Sequence, residues 1–310
     1  MPAEPILLRD LVITPFRAGA FSTQIYRATA AKGPVAALGP LLISSRAHRA
    51  IRWPGTPAAK AEIPGPAIWG GVFYAHFGHF ITEFLPRLLT LQSLARRFPD
   101  APILTIPQPD APTLAPDAPA LPAHAHWFLS QLGIDPARIV QCTEPCRIGQ
   151  LLVPQTPFAA RARYHPDLIP LIDAAPWANA PATGERLFLS RRHLDSTRSR
   201  VTNIAEVEAA YIRAGYRVLY PETLSLPDQI AQICGATAIA GENGSALHWA
   251  LYSRHLRHVH ALGWTLNLQK GIAILRGQTY QPLRAPLTGW MKGRQQSVPI
   301  AVVRRALSAK

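Results

Sequence analysis

The sequence predicts an α/β fold built around parallel β-sheet. The main observation is the regular alternation of β-type runs and amphipathic helical runs over residues 186–262, a pattern that specifies parallel strands joined by right-handed helical crossovers. A hydrophobic fraction of 48% with only 16% charged residues is typical of a packed globular protein rather than of a disordered chain. Because 310 residues exceed the usual size of one domain, we expect two domains.

The first domain is predicted over residues 1–165. Its opening residues form short apolar runs broken by Pro and Gly, which favour strands and turns. From Gly70 the pattern predicts a loop and then a helix over residues 80–98, with a kink or restart at Pro86. The other predicted elements are strands in PILLRDLVI, AALGPLLIS, APILTIP, RIVQC and QLLVPQ, a surface loop in PQPDAPTLAPDAPALP, and a helix in HAHWFLSQLGI that ends at Gly133.

The second domain is predicted over residues 166–285, and residues 286–310 are predicted as a basic C-terminal tail. The first half of PDLIPLIDAAPWANAPATGE favours a helix and the second half a linker. Strands are predicted in RLFLSR, YRVLY, TAIAG and RHVHAL, and helices in NIAEVEAAYIRAG, LPDQIAQICG and GSALHWALYS. Ligands of such sheets bind beyond the carboxyl ends of the strands, where Ser190, Arg191, Glu222 and residues 241–245 fall.

This edge is predicted to bind an anionic ligand that carries phosphate. The planar guanidinium of Arg191 can hold two phosphate oxygens, with the hydroxyl of Ser190 donating beside it. Gly244, Ser245 and Ala246 are the predicted first turn of a helix, whose N–H groups and positive dipole end suit phosphate. The alternatives are a strand-end Arg paired with a surface carboxylate and a tight strand-to-helix turn that binds nothing.

Four further side chains are weaker candidates at the same edge. Arg198 and Arg200 are candidate second cations, although several charges of RRHLDSTRSR must simply be solvated. Glu222 either accepts hydrogen bonds from ribose hydroxyls or caps a turn. Asn243 can donate an amide N–H to a phosphate.

A candidate general base lies in the first domain, in the run AHFGHFITEF. His79 and Glu83 are four residues apart, so on a helix they share one face and can hydrogen-bond, which raises the basicity of His79. With His76 they form a candidate catalytic cluster that deprotonates a hydroxyl. Two alternatives stay open: a His at a helix start can be a cap or core residue, and Arg87 can take the carboxylate in an ordinary helix ion pair.

The net charge of +14 and the pI near 10.4 favour polyanionic partners, although composition rich in Arg, Pro and Ala also reflects GC-rich coding. Nucleic acid is not expected, because the basic residues are scattered and no binding motif is present. Without a signal-peptide pattern or a membrane-spanning apolar run, we expect a cytoplasmic protein, which can associate peripherally with an anionic membrane. The three cysteines are too few for a disulfide framework or zinc site, and the histidines of residues 248–260 lack partners at ligand spacing, so no metal is expected.

Five motifs, in order and at matching spacing, resemble glycosyltransferase family 61. This family includes bacterial capsular-polysaccharide transferases, eukaryotic protein O-glycan transferases and plant xylan transferases. The resemblance extends from about residue 73 to about residue 280. The motifs are AHFGHFITEFLPRL (75–88), RLFLSR (186–191), the segment from Arg198 and Arg200 to Asn203, YPETLSLPDQI (220–230) and GENGSAL (241–247).

The resemblance implies a GT-B architecture, in which two Rossmann-like domains face each other across a cleft and the C-terminal domain holds a nucleotide sugar. It also implies inverting transfer without a required metal or cofactor. We expect the donor to be a UDP-linked sugar and the acceptor to be a glycan or a lipid-linked molecule. The chain departs from the family pattern at three positions. The family usually carries His where Asn243 stands, often Asn where Trp249 stands, and commonly Glu where Ile204 stands.

Three other functions remain open at this stage. One is a different GT-B transferase that moves a pyruvyl or acidic sugar group. Another is a non-enzymatic basic protein that binds nucleic acid or an anionic membrane, which would show salt-dependent binding. The third, suggested by Asn243 and Trp249, is a catalytically degenerate transferase that acts as a scaffold.

Overall fold

The computed structural model describes residues 4–13, 58–107, 121–154, 158–159, 163–195, 201–263, 267–283 and 296–308. The chain divides into two compact units, Met1–Leu171 and Ile172–Lys310. Each unit has its own five-stranded sheet and its own hydrophobic core. The α/β class that the alternating pattern predicts is confirmed.

The sheet of unit 1 is mixed. Strand β5 pairs antiparallel with β1 and parallel with β2, and β2, β3 and β4 continue in parallel, giving the order β1-β5-β2-β3-β4. Trp69, Ile148 and Leu151 are fully buried in the core on this sheet. The strands are β1 (Ile6–Ile13), β2 (Ala61–Phe73), β3 (Ile103–Pro107), β4 (Ile139–Gln141) and β5 (Cys146–Val153), and a separate hairpin pairs β6 (Phe158–Ala159) with β7 (Arg163–Tyr164).

The predicted loop at Gly70 is wrong, because Gly70 lies inside the central strand β2. A Cβ atom at Gly70 would lie 2.8 Å from Ile103 Cγ2, so here the glycine permits close packing between strands instead of ending one. A glycine with this role cannot be distinguished from a turn glycine by sequence pattern alone.

The helical segment after β2 changes type along its length. It consists of α1 (Phe77–His79), a π-helical turn Phe80–Phe84 and α2 (Leu85–Arg97). Pro86 occupies the first turn of α2, where its missing N–H costs nothing. At the position of the predicted kink or restart, the helix changes from π-helical to α-helical geometry at Leu85. Unit 1 also contains α3 (Ala123–Gln131) and a 3₁₀ turn Pro136–Arg138, and α4 (Leu168–Asp173) spans the division between the two units.

Unit 2 is a fully parallel sheet in the order β12-β11-β10-β8-β9. Strand β10 is buried along its whole length, as expected when helices cover both faces of a parallel sheet. The strands are β8 (Arg186–Leu189), β9 (Arg217–Leu219), β10 (Ala238–Glu242), β11 (His258–Leu262) and β12 (Thr279–Leu283). All four strands predicted in this domain are confirmed, and β12 was not predicted.

The helices of unit 2 differ from the prediction in type and in number. The segment predicted as a helix in GSALHWALYS is a 3₁₀ helix, Ser245–Leu251, whose N–H groups bond three residues back, as Leu247 N does to Gly244 O. Apolar spacing does not distinguish 3₁₀ from α geometry over two turns. The α-helices are α5 (Ile204–Arg213), α6 (Leu226–Gln229), α7 (Asn267–Arg276) and α8 (Ile300–Ser308), with a π-helical turn Ile230–Cys234 after α6.

The segment predicted as a basic tail is, in its described part, integrated into unit 2. Val298 and Val303 are fully buried in the unit 2 core. Asn203 fastens this segment, because its Nδ2 donates to Val298 O and its Oδ1 accepts from Val298 N, each at 2.9 Å. Apolar residues of IAVVRRALS therefore pack inward while its arginines face solvent.

The described residues contain no helix with both the length and the apolar character needed to cross a bilayer. The three cysteines, Cys142, Cys146 and Cys234, are buried and free of disulfide bonds.

A buried imidazole in unit 2 predicts loss of stability in mild acid. Burial first, and His258 second, lower the pKa of His260 to about 4, and its Nδ1 lies within hydrogen-bonding distance of Tyr211 Oη, at 3.1 Å. The unfolded chain, with the ordinary pKa of about 6.5, takes up a proton first. The contribution of neutral His260 to the free energy of unfolding is therefore fully present above pH 6.5. It decreases as the pH falls from 6.5 towards 4, by at most about 1.4 kcal/mol per pH unit.

Urea unfolding followed by circular dichroism at pH 7.5, 6, 5 and 4.5 tests this expectation. His260→Gln keeps an acceptor for the Tyr211 hydroxyl and does not titrate, so its stability should fall less steeply below pH 6.5. His126→Gln, at an exposed position of α3, should keep the wild-type slope. Equal slopes in all three proteins would contradict the assignment.

Candidate active site

At the carboxyl edge of the unit 2 sheet, Arg191 meets the Gly-rich loop. Arg191 follows β8, and Gly244 follows β10, which pairs directly with β8. A Cβ atom at Gly244 would lie 2.9 Å from Arg191 Nη1 and 3.3 Å from Cζ, so the half-buried guanidinium lies against the glycine backbone. The two parts of the predicted phosphate site are therefore brought together.

The loop opens into a helix, as predicted, although the helix is short. Gly244 is extended, with φ 173°, so its lack of a side chain serves the contact with Arg191 and not an unusual backbone angle. Asn243 N donates to Leu262 O at 3.1 Å, which fixes the loop to β11. Ser245 and Ala246 begin the 3₁₀ helix and are partly exposed, so the first N–H groups of this helix belong to the same edge.

Ser190 has a different local role from the predicted phosphate donor. Its Oγ donates to Glu208 Oε1 at 2.5 Å and accepts from Arg192 N at 3.0 Å. Glu208, on α5, is buried, and its second oxygen accepts from Arg192 Nη1 at 3.3 Å. A hydroxyl has one proton to donate, and Ser190 donates it to Glu208 instead of to a ligand. This hydrogen bond holds the turn that carries Arg191.

Glu222 lies at this edge, exposed, in the 3₁₀ turn Pro221–Thr223 that follows β9. Gln229 holds this turn, because its Nε2 donates to Pro221 O at 2.9 Å and its Oε1 accepts from Trp249 Nε1 at 3.2 Å. Trp249 is fully buried. It therefore links the turn that carries Glu222 to the 3₁₀ helix after Gly244.

Arg198 and Arg200, the predicted second cations, lie outside the described residues.

In unit 1, the predicted pair of His79 and Glu83 is formed. His79 Nδ1 lies 2.7 Å from Glu83 Oε1, and the Glu83 side chain is only 6% exposed while that of His79 is 24% exposed. With the Nδ1 proton donated to the carboxylate, the neutral imidazole carries its lone pair on Nε2. This is the arrangement of a histidine base oriented by a carboxylate.

His76 supports this pair from the start of the helix. Its Nδ1 accepts from Gly78 N at 3.2 Å, so it caps α1, and its ring centroid lies 5.6 Å from that of His79. The ring of Tyr74 stacks on His79 at 5.3 Å. The capping role left open for a helix-start histidine thus belongs to His76, and His79 has the carboxylate partner.

A buried arginine lies beside this pair. Arg87 is 3% exposed, and its Nε would lie 2.5 Å from a Cβ atom at Gly71, where φ is 83°. Burial lowers the pKa of Arg87 to about 10, and the charges of Tyr74 and Glu83 partly offset this effect. Because Gly71 has no Cβ atom, it leaves space for the Arg87 side chain next to Glu83. Its positive φ is a second reason why glycine is favoured at this position.

Sequence reasoning missed Glu208, for which a signal exists. On α5 it shares the buried face of Ile204 and Tyr211, four residues after the first and three before the second. A carboxylate on the apolar face of an amphipathic helix must have a partner, and Ser190 provides it. No comparable local signal identified Gln229, because its partners come from a turn and from the 3₁₀ helix after β10.

The described residues contain no group of three or more His, Cys, Asp or Glu side chains arranged to hold a metal ion. Three of the four histidines over residues 248–260 bind separate partners. His248 Nδ1 lies 3.1 Å from Gln269 Oε1, His255 Nε2 lies 3.0 Å from Ala180 O, and His260 bonds to Tyr211.

Comparison with known proteins identifies the family. No curated protein matches the chain. The family model described as Glycosyltransferase 61 matches residues 77–259, which is more than half of the chain and includes both His79 with Glu83 and Arg191 with Gly244. The resemblance drawn from the five motifs is confirmed, and the chain belongs to glycosyltransferase family 61.

Proposed function

We propose that the chain is an inverting, metal-independent glycosyltransferase that transfers a sugar from a UDP-linked donor to a glycan or lipid-linked acceptor in surface polysaccharide synthesis. The observation that carries the proposal is the contact between Arg191 and Gly244 at the carboxyl edge of a parallel sheet. Such edges bind nucleotides in parallel α/β proteins. The family supplies the reaction type.

The donor side of the proposal rests on charge. When the sugar leaves, negative charge develops on the diphosphate and must be stabilised by fixed donors. The guanidinium of Arg191 offers two parallel N–H donors, and the first N–H groups after Gly244 offer more. These donors supply the stabilisation that a metal ion supplies in other transferases, and Glu222 is the candidate for the ribose hydroxyls.

The acceptor side rests on His79 and Glu83. Inverting transfer is a single displacement, which requires a base to take the proton of the attacking hydroxyl. His79 accepts this proton at Nε2, because Nδ1 is engaged with Glu83 at 2.7 Å. The buried carboxylate then stabilises the imidazolium that forms.

The proposal includes the GT-B architecture that the family resemblance implies, with unit 2 on the donor side and unit 1 on the acceptor side. It also places the protein at the cytoplasmic face of a membrane. The excess of 14 positive charges favours an anionic lipid surface, where lipid-linked acceptors are held.

Calorimetric titration of the full chain with UDP, GDP, ADP and CMP tests donor binding. We expect UDP to bind and Arg191→Ala to weaken it roughly 10- to 150-fold, since hydrogen bonds to charged groups contribute about 1.5–3 kcal/mol. Arg213→Ala, an equal charge change at an exposed position on α5, should bind as the wild type does. The donor assignment is wrong if none of the four nucleotides binds, or if Arg191→Ala has no effect.

Gly244→Ala tests the same site by adding a methyl group at the position where the Arg191 guanidinium lies. The new Cβ would meet the far end of the Arg191 side chain, which can move, and the extended backbone at residue 244 accepts any residue. We therefore expect wild-type thermal stability together with UDP binding weakened about 10-fold or more, as Arg191 loses its bidentate geometry. Unchanged UDP affinity would show that the contact of Arg191 with Gly244 is not part of the donor site.

A further inference from the structure

Two aromatic rings, those of His193 and Tyr220, lie stacked at the donor edge of unit 2. The rings of His193 and Tyr220 have centroids 4.0 Å apart and planes inclined by only 15°. His193 is exposed and Tyr220 is half-buried. Tyr220 therefore covers one face of the imidazole, while the His193 residue as a whole remains exposed.

The backbone places this pair beside Arg191. His193 lies in the turn after β8, Tyr220 directly follows β9, and Ser190 N donates to Leu219 O at 2.8 Å. The parallel pairing of β8 with β9 thus continues up to the two exits of the chain. His193, Tyr220 and Arg191 consequently lie at the same edge of the sheet.

The spacing along this edge suits an elongated ligand. Strand β8 lies between β10, which leads to Gly244, and β9, which leads to Tyr220. Neighbouring strands are about 4.8 Å apart, so Gly244 and Tyr220 emerge about 10 Å from each other. A nucleoside diphosphate extends over a comparable length, with charge at one end and a flat aromatic base at the other.

The two turns do not need the stacked rings to hold their shape. Leu194 N donates to Arg191 O, and Thr223 N donates to Tyr220 O, each at 3.0 Å. Arg192 N is also bonded to Ser190 Oγ. Hydrogen bonds therefore close both turns without a contribution from the stacked rings.

We propose that His193 and Tyr220 form the stacking platform for the base of the donor nucleotide, with the base against the face of His193 opposite Tyr220. This inference rests on the proposed function and extends it to a base-binding subsite. Stacking on an aromatic face suits every base, because each base has a π-face. The platform therefore supplies affinity for a nucleotide over a bare diphosphate, and it does not select uracil over other bases.

The test compares UDP with inorganic pyrophosphate, which has no base, by calorimetric titration of the full chain. His193→Ala should weaken UDP about 10- to 100-fold, from the contribution of one stacked base, and leave pyrophosphate affinity unchanged. His193→Phe, which retains an aromatic face, should restore most of the UDP affinity. His126→Ala, an exposed histidine of α3, is the matched control and should bind both ligands as the wild type does.

The outcomes separate this inference from the proposed function. Arg191→Ala should weaken UDP and pyrophosphate alike, because it acts on phosphate. The platform is wrong if His193→Ala binds UDP like the wild type, or if it weakens both ligands equally. If the wild-type protein binds neither ligand, the donor assignment fails and the platform fails with it.

Discussion

His79→Ala is expected to lower kcat by about 10²- to 10⁴-fold, the usual contribution of a general base. The Kd for UDP should not change, because the residues proposed for phosphate binding are in unit 2. The loss arises from the missing proton acceptor at Nε2, which the contact of Nδ1 with Glu83 at 2.7 Å orients. The measurement is nucleotide release from the UDP-sugar and acceptor pair that supports turnover, with calorimetry for UDP.

Two further variants test the role of Glu83 and provide a control. Glu83→Gln keeps the side-chain shape and removes the charge that stabilises the imidazolium, so kcat should fall while KM for the donor stays constant. His126→Ala removes an exposed imidazole from α3 and should leave kcat unchanged. Wild-type kcat in His79→Ala would exclude His79 as the base, and would favour a purely structural role for its bond to Glu83.

Arg87→Met is expected to lower the free energy of unfolding by about 3–5 kcal/mol, the cost of breaking a buried set of charges. The guanidinium is 3% exposed and interacts electrostatically with Glu83. Methionine retains most of the apolar stem but leaves the buried carboxylate without this cation. Urea unfolding at pH 7.5, followed by circular dichroism, measures the change.

Arg97→Met is the matched control, since it makes the same exchange on the same helix. Arg97 is 60% exposed and pairs with Glu4, which is 82% exposed, so its loss should cost less than about 1 kcal/mol. The double variant Arg87→Met/Glu83→Gln should recover part of the stability lost in Arg87→Met, because neither charge then remains alone. Equal costs for Arg87→Met and Arg97→Met would refute the buried cation as a determinant of stability.

The donor edge of unit 2 could be predicted only in part from local sequence patterns. Strand, turn and helix patterns predicted that Arg191 and Gly244 lie on one edge, since the carboxyl ends of parallel strands share an edge. The 2.9 Å approach of the guanidinium to a Cβ position at Gly244 could not be predicted, because it depends on β8 and β10 being neighbours. The same holds for Ser190, whose proton goes to a carboxylate 18 residues away.

The base cluster was more predictable because it is local. Four-residue spacing brings His79 and Glu83 together on any helical turn, and the π-helical turn from Phe80 preserves their contact. The role of Gly71 was not predictable in the same way. Its positive φ and its contact with Arg87 join a strand to a helix, and no periodicity within either element encodes that contact.

The sequence by itself determined the α/β class, four of the five strands of the parallel sheet, the family and the pairing of His79 with Glu83, because these depend on short-range periodicity and on motifs. Only the tertiary structure decided that β2 continues through Gly70, that a C-terminal helix packs into unit 2, that the Arg191 guanidinium lies against Gly244, and that His193 stacks on Tyr220. The physical reason is that strand order and core packing bring together residues distant in the chain, and their closeness leaves no pattern in either segment alone.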